Sequence, residues 1–263
     1  MKPVLPLALL IALVLNLGVA EAADAKNQAI EASLAGAAAT FPVDVQNALL
    51  EIDGTPRRLL ALRGYLRARD TLASRWSWSE AQIEAFERSP EYARMQAEIA
   101  KIDARFRQLN PSYSLYANTQ VRSLGVQLER WNKNRTVGRV ADDLHAAVRQ
   151  SAAAESVEGL SRLLIDWPAS AALPLAAPGL SLHGQSKALD FQVRAGDRLI
   201  AGPDTATVAR VWEGQGWASK LAAAINASSK RFKGPLATPN EPWHFEYTSE
   251  SADIAASAAS RQP

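Results

Sequence analysis

The sequence predicts an α+β protein: a small antiparallel sheet flanked by helices and preceded by a helical N-terminal region. Three observations carry that expectation. Helical periodicity and cap residues dominate residues 26–110, apolar and polar residues begin to alternate after Pro111, and a series of short strand-like runs follows Pro178.

The helical part is read from its apolar stripes and its ends. Leu59, Leu60, Leu62 and Leu66 lie among arginines in the window 57–74, an amphipathic pattern. Ser79 followed by Gln82 matches a capping box. Ser89-Pro90 puts a cap residue before a proline at the first helical position, and the helix it opens is expected to run to Leu109, where Asn110-Pro111 stops it. No chemistry is legible in this half. It reads as a scaffold or as a module for a protein partner.

Beyond Pro111, residues 115–122 alternate with period two, so a strand is expected there. Ser123 is then placed to cap a helix through Trp131, and residues 137–150 read as another. A Pro/Ala-rich connection, 168–178, leads to strands expected at 180–184, 188–193 and 198–201. Helices at 207–212 and 217–228 and a last strand at 243–248 complete the reading. The domain division expected is a leader over 1–22, a helical region over 23–110, a site-bearing domain over 111–250 and a disordered Ala/Ser-rich tail over 251–263.

Composition excludes several classes. A net charge of +2 over 263 residues, without a dense Lys/Arg stripe, is no footprint for nucleic acid. Cysteine is absent, which removes disulfides, thiol nucleophiles and thiolate metal sites, so any metal must be held by His, Asp or Glu. Only His145, His183 and His244 are available as imidazoles. Lys2, the apolar run from Val4 and the small residues Ala20-Glu21-Ala22-Ala23 make the three parts of an export signal, cut after Ala22. An exported, periplasmic protein with no membrane span in its mature form is therefore expected.

Two segments stand out: Ser181-Leu-His183-Gly-Gln-Ser-Lys-Ala188-Leu-Asp190-Phe and Asn240-Glu241-Pro-Trp-His244-Phe-Glu-Tyr. If Ser186-Lys187 forms a two-residue hairpin turn, His183 lies opposite Asp190, close enough to share one ion. Strand parity sends Leu189, Phe191 and Val193 to the core and Asp190 to the open face, and it gives His244 the face opposite Trp243, Phe245 and Tyr247. Three protein ligands with an open position suit a catalytic zinc, and Glu241 then supplies a proton-transferring carboxylate beside it. Ordinary surface polarity is the other reading of the same spacing.

These segments resemble the D-alanyl-D-alanine carboxypeptidase and dipeptidase family of zinc peptidases, VanY-type enzymes included. The family pattern Ser-x-His-x-x-Gly-x-Ala-x-Asp meets Ser181, His183, Ala188 and Asp190, with Ser186 where the family has Gly. Its Glu-Pro-Trp-His segment meets Glu241 to His244, and Val121-Arg122-Ser123 with Gln127 is similar to its Tyr-Arg-Ser…Gln segment. The resemblance covers about residues 115–247. It implies one Zn2+ on His183, Asp190 and His244, and catalysis by Glu241 and Arg122. It further implies substrate binding by Arg122, Ser181 and Gln127, and peptidoglycan stem peptides as substrates. A carboxypeptidase is the first expectation; a murein endopeptidase and a noncatalytic metal-containing wall-binding protein are the alternatives. Trp243 is expected beneath His244, His145 on a solvated helix face, and Trp212 and Trp217 either at the cleft or in the packing.

Overall fold

A computed structural model describes residues 24–249 of the chain. The leader expected over 1–22 and the tail expected over 251–263 lie outside the described residues. The described chain is α+β, with one small antiparallel sheet of five strands. It forms two compact units that interleave in sequence, residues 24–71 with 128–178 and residues 72–127 with 179 onward.

The first unit is helical: 24–38 (α1), Val43–Leu50 (α2), Gly54–Arg67 (α3), the larger part of Leu124–Lys133 (α7), Arg135–Gln150 (α8) and Val157–Asp166 (α9). Helix α3 buries Leu59, Leu60, Leu62 and Tyr65, and α8 buries Val137, Val140, Leu144 and Val148, all at most 2% exposed. These stripes recur at three- and four-residue spacing, so each helix presents one apolar face to its neighbours. His145 is half-buried on α8, and burial pushes its pKa down.

The second unit holds the sheet. Its helices are Leu72–Arg75 (α4), Glu80–Glu87 (α5), Pro90–Leu109 (α6) and Trp217–Ser228 (α10), with a wide helical turn over Val208–Glu213. The caps read from sequence are present. Ser79 Oγ accepts from Gln82 N–H while Ser79 N–H donates to the Gln82 side chain, and Ser89 Oγ accepts from Tyr92 N–H ahead of Pro90. Residues 72–109, grouped by sequence with the N-terminal helices, thus pack in the unit that carries the sheet.

The strands are Ser114–Asn118 (β1), Ala188–Ala195 (β2), Arg198–Ala201 (β3), Phe232–Lys233 (β4) and His244–Tyr247 (β5). Their order is β1-β2-β5-β4, with β3 also pairing β2. One face is apolar: Leu115, Ala117, Leu189, Phe191, Val193, Phe245 and Tyr247 pack with Ile102 and Phe106 of α6 and Leu221 and Ile225 of α10. Trp212, Trp217 and Trp243 belong to the same core, which places the two flanking tryptophans in the packing. Alternation leaves Asp190, Gln192 and Arg194 on the other face of β2.

One expected strand is absent. Residues Leu182–Gln185 form a short 3-10 turn instead of pairing with β2. Both edges of β2 at Asp190 are already filled, by Asn118 of β1 and by His244 of β5, so no ladder position remains for residues 180–184.

Candidate metal centre

Asp190 sits between the core residues Leu189 and Phe191, so the pleat that buries its neighbours turns its carboxylate to the open face. His244 begins β5 directly across from it. Trp243 anchors that strand start from below: it is 3% exposed, its ring packs on Trp212, and its carbonyl accepts from Phe191 N–H at 2.9 Å. His183 arrives from the 3-10 turn rather than from a hairpin strand.

The three side chains converge. His183 Nε2 lies 3.3 Å from His244 Nδ1 and 3.5 Å from Asp190 Oδ1, and His244 Nδ1 lies 3.2 Å from Asp190 Oδ1. They form a group able to hold a metal ion. The edge lengths test the fit: tetrahedral zinc with bonds of about 2.0–2.1 Å spaces its ligand atoms about 3.3–3.4 Å apart. Three lone-pair-bearing atoms facing one point are also poorly served by hydrogen bonds alone, since a neutral imidazole nitrogen carries at most one proton. A cation satisfies all three. Both histidines are 9% exposed.

Burial pushes the Asp190 carboxyl up, but the hydrogen bond with His244 and the charges of His183, His244 and Arg122 outweigh it and hold the group below the usual carboxylate range. Arg122 contributes through Nη2, 3.4 Å from Asp190 Oδ2. Glu241 behaves oppositely. Burial, the largest influence, and the neighbouring Asp190 raise its carboxyl against the pull of His244 and Arg122. Its Oε2 lies 3.7 Å from His244 Nδ1, beside the ligand triangle and not one of its corners.

The loop that carries Glu241 is pinned at several points. Glu241 N–H donates to the Leu236 carbonyl, Leu236 N–H to the His244 carbonyl, and His244 N–H to the Glu241 carbonyl, at 3.0–3.1 Å. Asn240 Nδ2 donates to Glu213 Oε1 at 2.9 Å. The backbone that carries the Glu241 carboxyl is therefore fixed beside the group.

Gln127 has a different place from the one its motif implies. It is 6% exposed, and its amide is spent on protein: Nε2 donates to Ser77 Oγ and to the Arg122 carbonyl, each at 2.7 Å, and Oε1 accepts from Gly179 N–H at 2.9 Å. With both amide protons used, it holds the Arg122 backbone. Arg122 N–H completes that brace by donating to the His183 carbonyl at 3.1 Å. Ser181, expected to bind substrate, is half-buried at the start of the turn, and its hydroxyl makes no cap bond.

Sequence reading missed the segment 74–78, which braces the turn from outside. Trp78 N–H donates to the Gly184 carbonyl, Ser77 N–H to the Gly179 carbonyl, and Gln185 Nε2 to the carbonyls of Ser74 and Trp76. Backbone carbonyls leave no sequence signature, so no residue type marks this role. Gly184 packs so closely here that an added Cβ would lie 2.1 Å from Ser77 Oγ.

No protein-family model, no curated protein and no solved structure matches the chain.

Proposed function

We propose that the chain is a zinc-dependent peptidase that hydrolyses peptidoglycan stem peptides, acting as a D-alanyl-D-alanine carboxypeptidase outside the cytoplasmic membrane. The observation that carries this reading is the His183–Asp190–His244 triangle, of zinc-sized edges, with the Glu241 carboxyl alongside but outside it.

When bound, zinc supplies Lewis-acid polarisation of the scissile carbonyl and a water of lowered pKa. The remaining work falls to the chain. Glu241, raised by burial, takes a proton from the attacking water and delivers it to the leaving amine; a base raised toward the working pH performs both transfers well. Arg122, anchored through Asp190 and its own backbone, offers a guanidinium to the oxyanion or to a terminal carboxylate. Support for the stem-peptide substrate is the motif resemblance together with the leader-like N-terminus.

The test is incubation of purified protein with defined muropeptides, with and without a chelator and with zinc restored, followed by mass spectrometry. Chelator-sensitive, zinc-restored loss of a terminal D-alanine is expected. Equal turnover in chelator, or none with any muropeptide despite stoichiometric zinc, overturns the proposal.

A further inference from the structure

The open face of the sheet does not end at the ligand triangle. Asp190, Gln192 and Arg194 share one face of β2, and at about 3.3–3.4 Å per residue Arg194 stands about 13 Å from Asp190. Across β1 they are paired by Asn118, Tyr116 and Ser114 in that order. Tyr116 is 42% exposed, and the Arg194 guanidinium lies 4.5 Å from its ring centre, while Arg194 Nη2 donates to Gln192 Oε1 at 3.3 Å. Ring and amide thus hold the guanidinium in one place.

Two features point to a ligand for it. No carboxylate among the described residues pairs with Arg194, and among them its guanidinium meets only the Tyr116 ring and the Gln192 amide oxygen. The ladder shifts register between Val193 and Arg194 where β3 joins, an irregularity of the kind that re-aims side chains near sites.

Resting on the peptidase reading, we infer that Tyr116, Gln192 and Arg194 form a remote subsite for a substrate carboxylate about 13 Å along β2 from Asp190, a span of three to four residues of an extended peptide. The subsite makes the enzyme selective for acidic stem peptides over amidated ones. Its contribution is uniform binding, so it lowers KM and leaves kcat alone.

The experiment uses zinc-loaded Glu241→Gln protein, in which binding is read without turnover. Calorimetric titrations compare muropeptide pentapeptides bearing free carboxylates with the same peptides amidated everywhere but at the C-terminus. Amidation is expected to weaken binding about tenfold, the scale of one charge-assisted contact. In Glu241→Gln/Arg194→Gln the free and amidated peptides should bind alike, and Arg194→Lys should restore part of the difference. Equal binding of both peptides to the parent, or an undiminished preference after Arg194→Gln, overturns the subsite, as does a dependence on the attached saccharide alone. Absence of hydrolysis by protein with intact Glu241 would instead sink the peptidase reading, and the titrations would still decide the subsite.

Discussion

Asp190 and His244 are direct cross-strand partners of β2 and β5, and their ligand atoms lie 3.2 Å apart. Two corners of the proposed metal site are thus fixed by the sheet ladder itself, while the third, His183, depends on the braced turn over Leu182–Gln185.

Removal of any corner should abolish metal retention. His183→Ala, Asp190→Ala and His244→Ala are each expected to lose stoichiometric zinc by elemental analysis after dialysis. In the parent, zinc at a hundredfold excess over its Kd should add about 2.7 kcal/mol of stability, seen as a rise in Tm that a chelator reverses. A parent Tm indifferent to both zinc and chelator would contradict the site.

Glu241→Gln should keep zinc and lose about 10²- to 10⁴-fold in kcat, the usual share of general acid–base catalysis. The sign of the pH dependence follows from the carboxyl's proposed role as base: activity is lost as pH falls through its pKa, which burial and Asp190 raise in the metal-free chain. Stability runs the other way. A folded-state pKa above the unfolded one makes ionisation destabilising, so stability falls as pH rises through that window. Metal-free Glu241→Gln is therefore expected to melt above the metal-free parent at neutral pH; a lower Tm would refute this account.

Gln127→Leu should lower stability by about 1–3 kcal/mol in denaturant titration, because Gly179 N–H and the Arg122 carbonyl lose buried partners. Through Arg122 it should also reduce kcat, while KM rises little. A KM effect alone would return Gln127 to the substrate-contacting role its motif implies.

Two backbone positions predict opposite outcomes. Gly184→Ala places a Cβ within 2.7 Å of Gln127 Nε2 and closer still to Ser77 Oγ, so a loss of about 1–3 kcal/mol is expected, relieved in part by Ser77→Gly. Ser186 has φ 53°, left-handed backbone in which glycine meets no steric penalty. Ser186→Gly should leave the fold intact with a Tm at or above the parent's, whereas Ser186→Val should lower it by several degrees.

Away from the centre, Tyr247 donates to Glu91 Oε1 at 2.7 Å. Burial raises Glu91, but this bond and Arg94 outweigh it and hold its carboxyl below the ordinary value. A depressed folded-state pKa gives stability that is present above the unfolded pKa and lost as pH falls through the folded one. Tyr247→Phe should thus shift acid unfolding to higher pH, measured by circular dichroism.

Much of this was legible because it follows from period and capping. Helix α6 was bounded by Ser89-Pro90 and Asn110, and the faces of β2 and β5 followed from alternation. The hairpin expected at 183–190 was not there, because five residues of parity do not distinguish a single tight turn from a strand. The turn's partners, moreover, are backbone groups of residues 74–78, about a hundred positions away. The His183–Asp190–His244 grouping survived the error since His183 reaches the same place by another route. The bracing contacts of Gln127 were illegible for a related reason: a motif names a residue type, and only packing shows that both amide protons are consumed internally.

The ladder that joins Asp190 to His244 also orders the assembly of the group. His244 sits on the last strand of the described chain, so until β5 pairs with β2 only His183 and Asp190 can be in place. On the zinc reading proposed above, an ion would be captured last and would then tie the final strand to its neighbour.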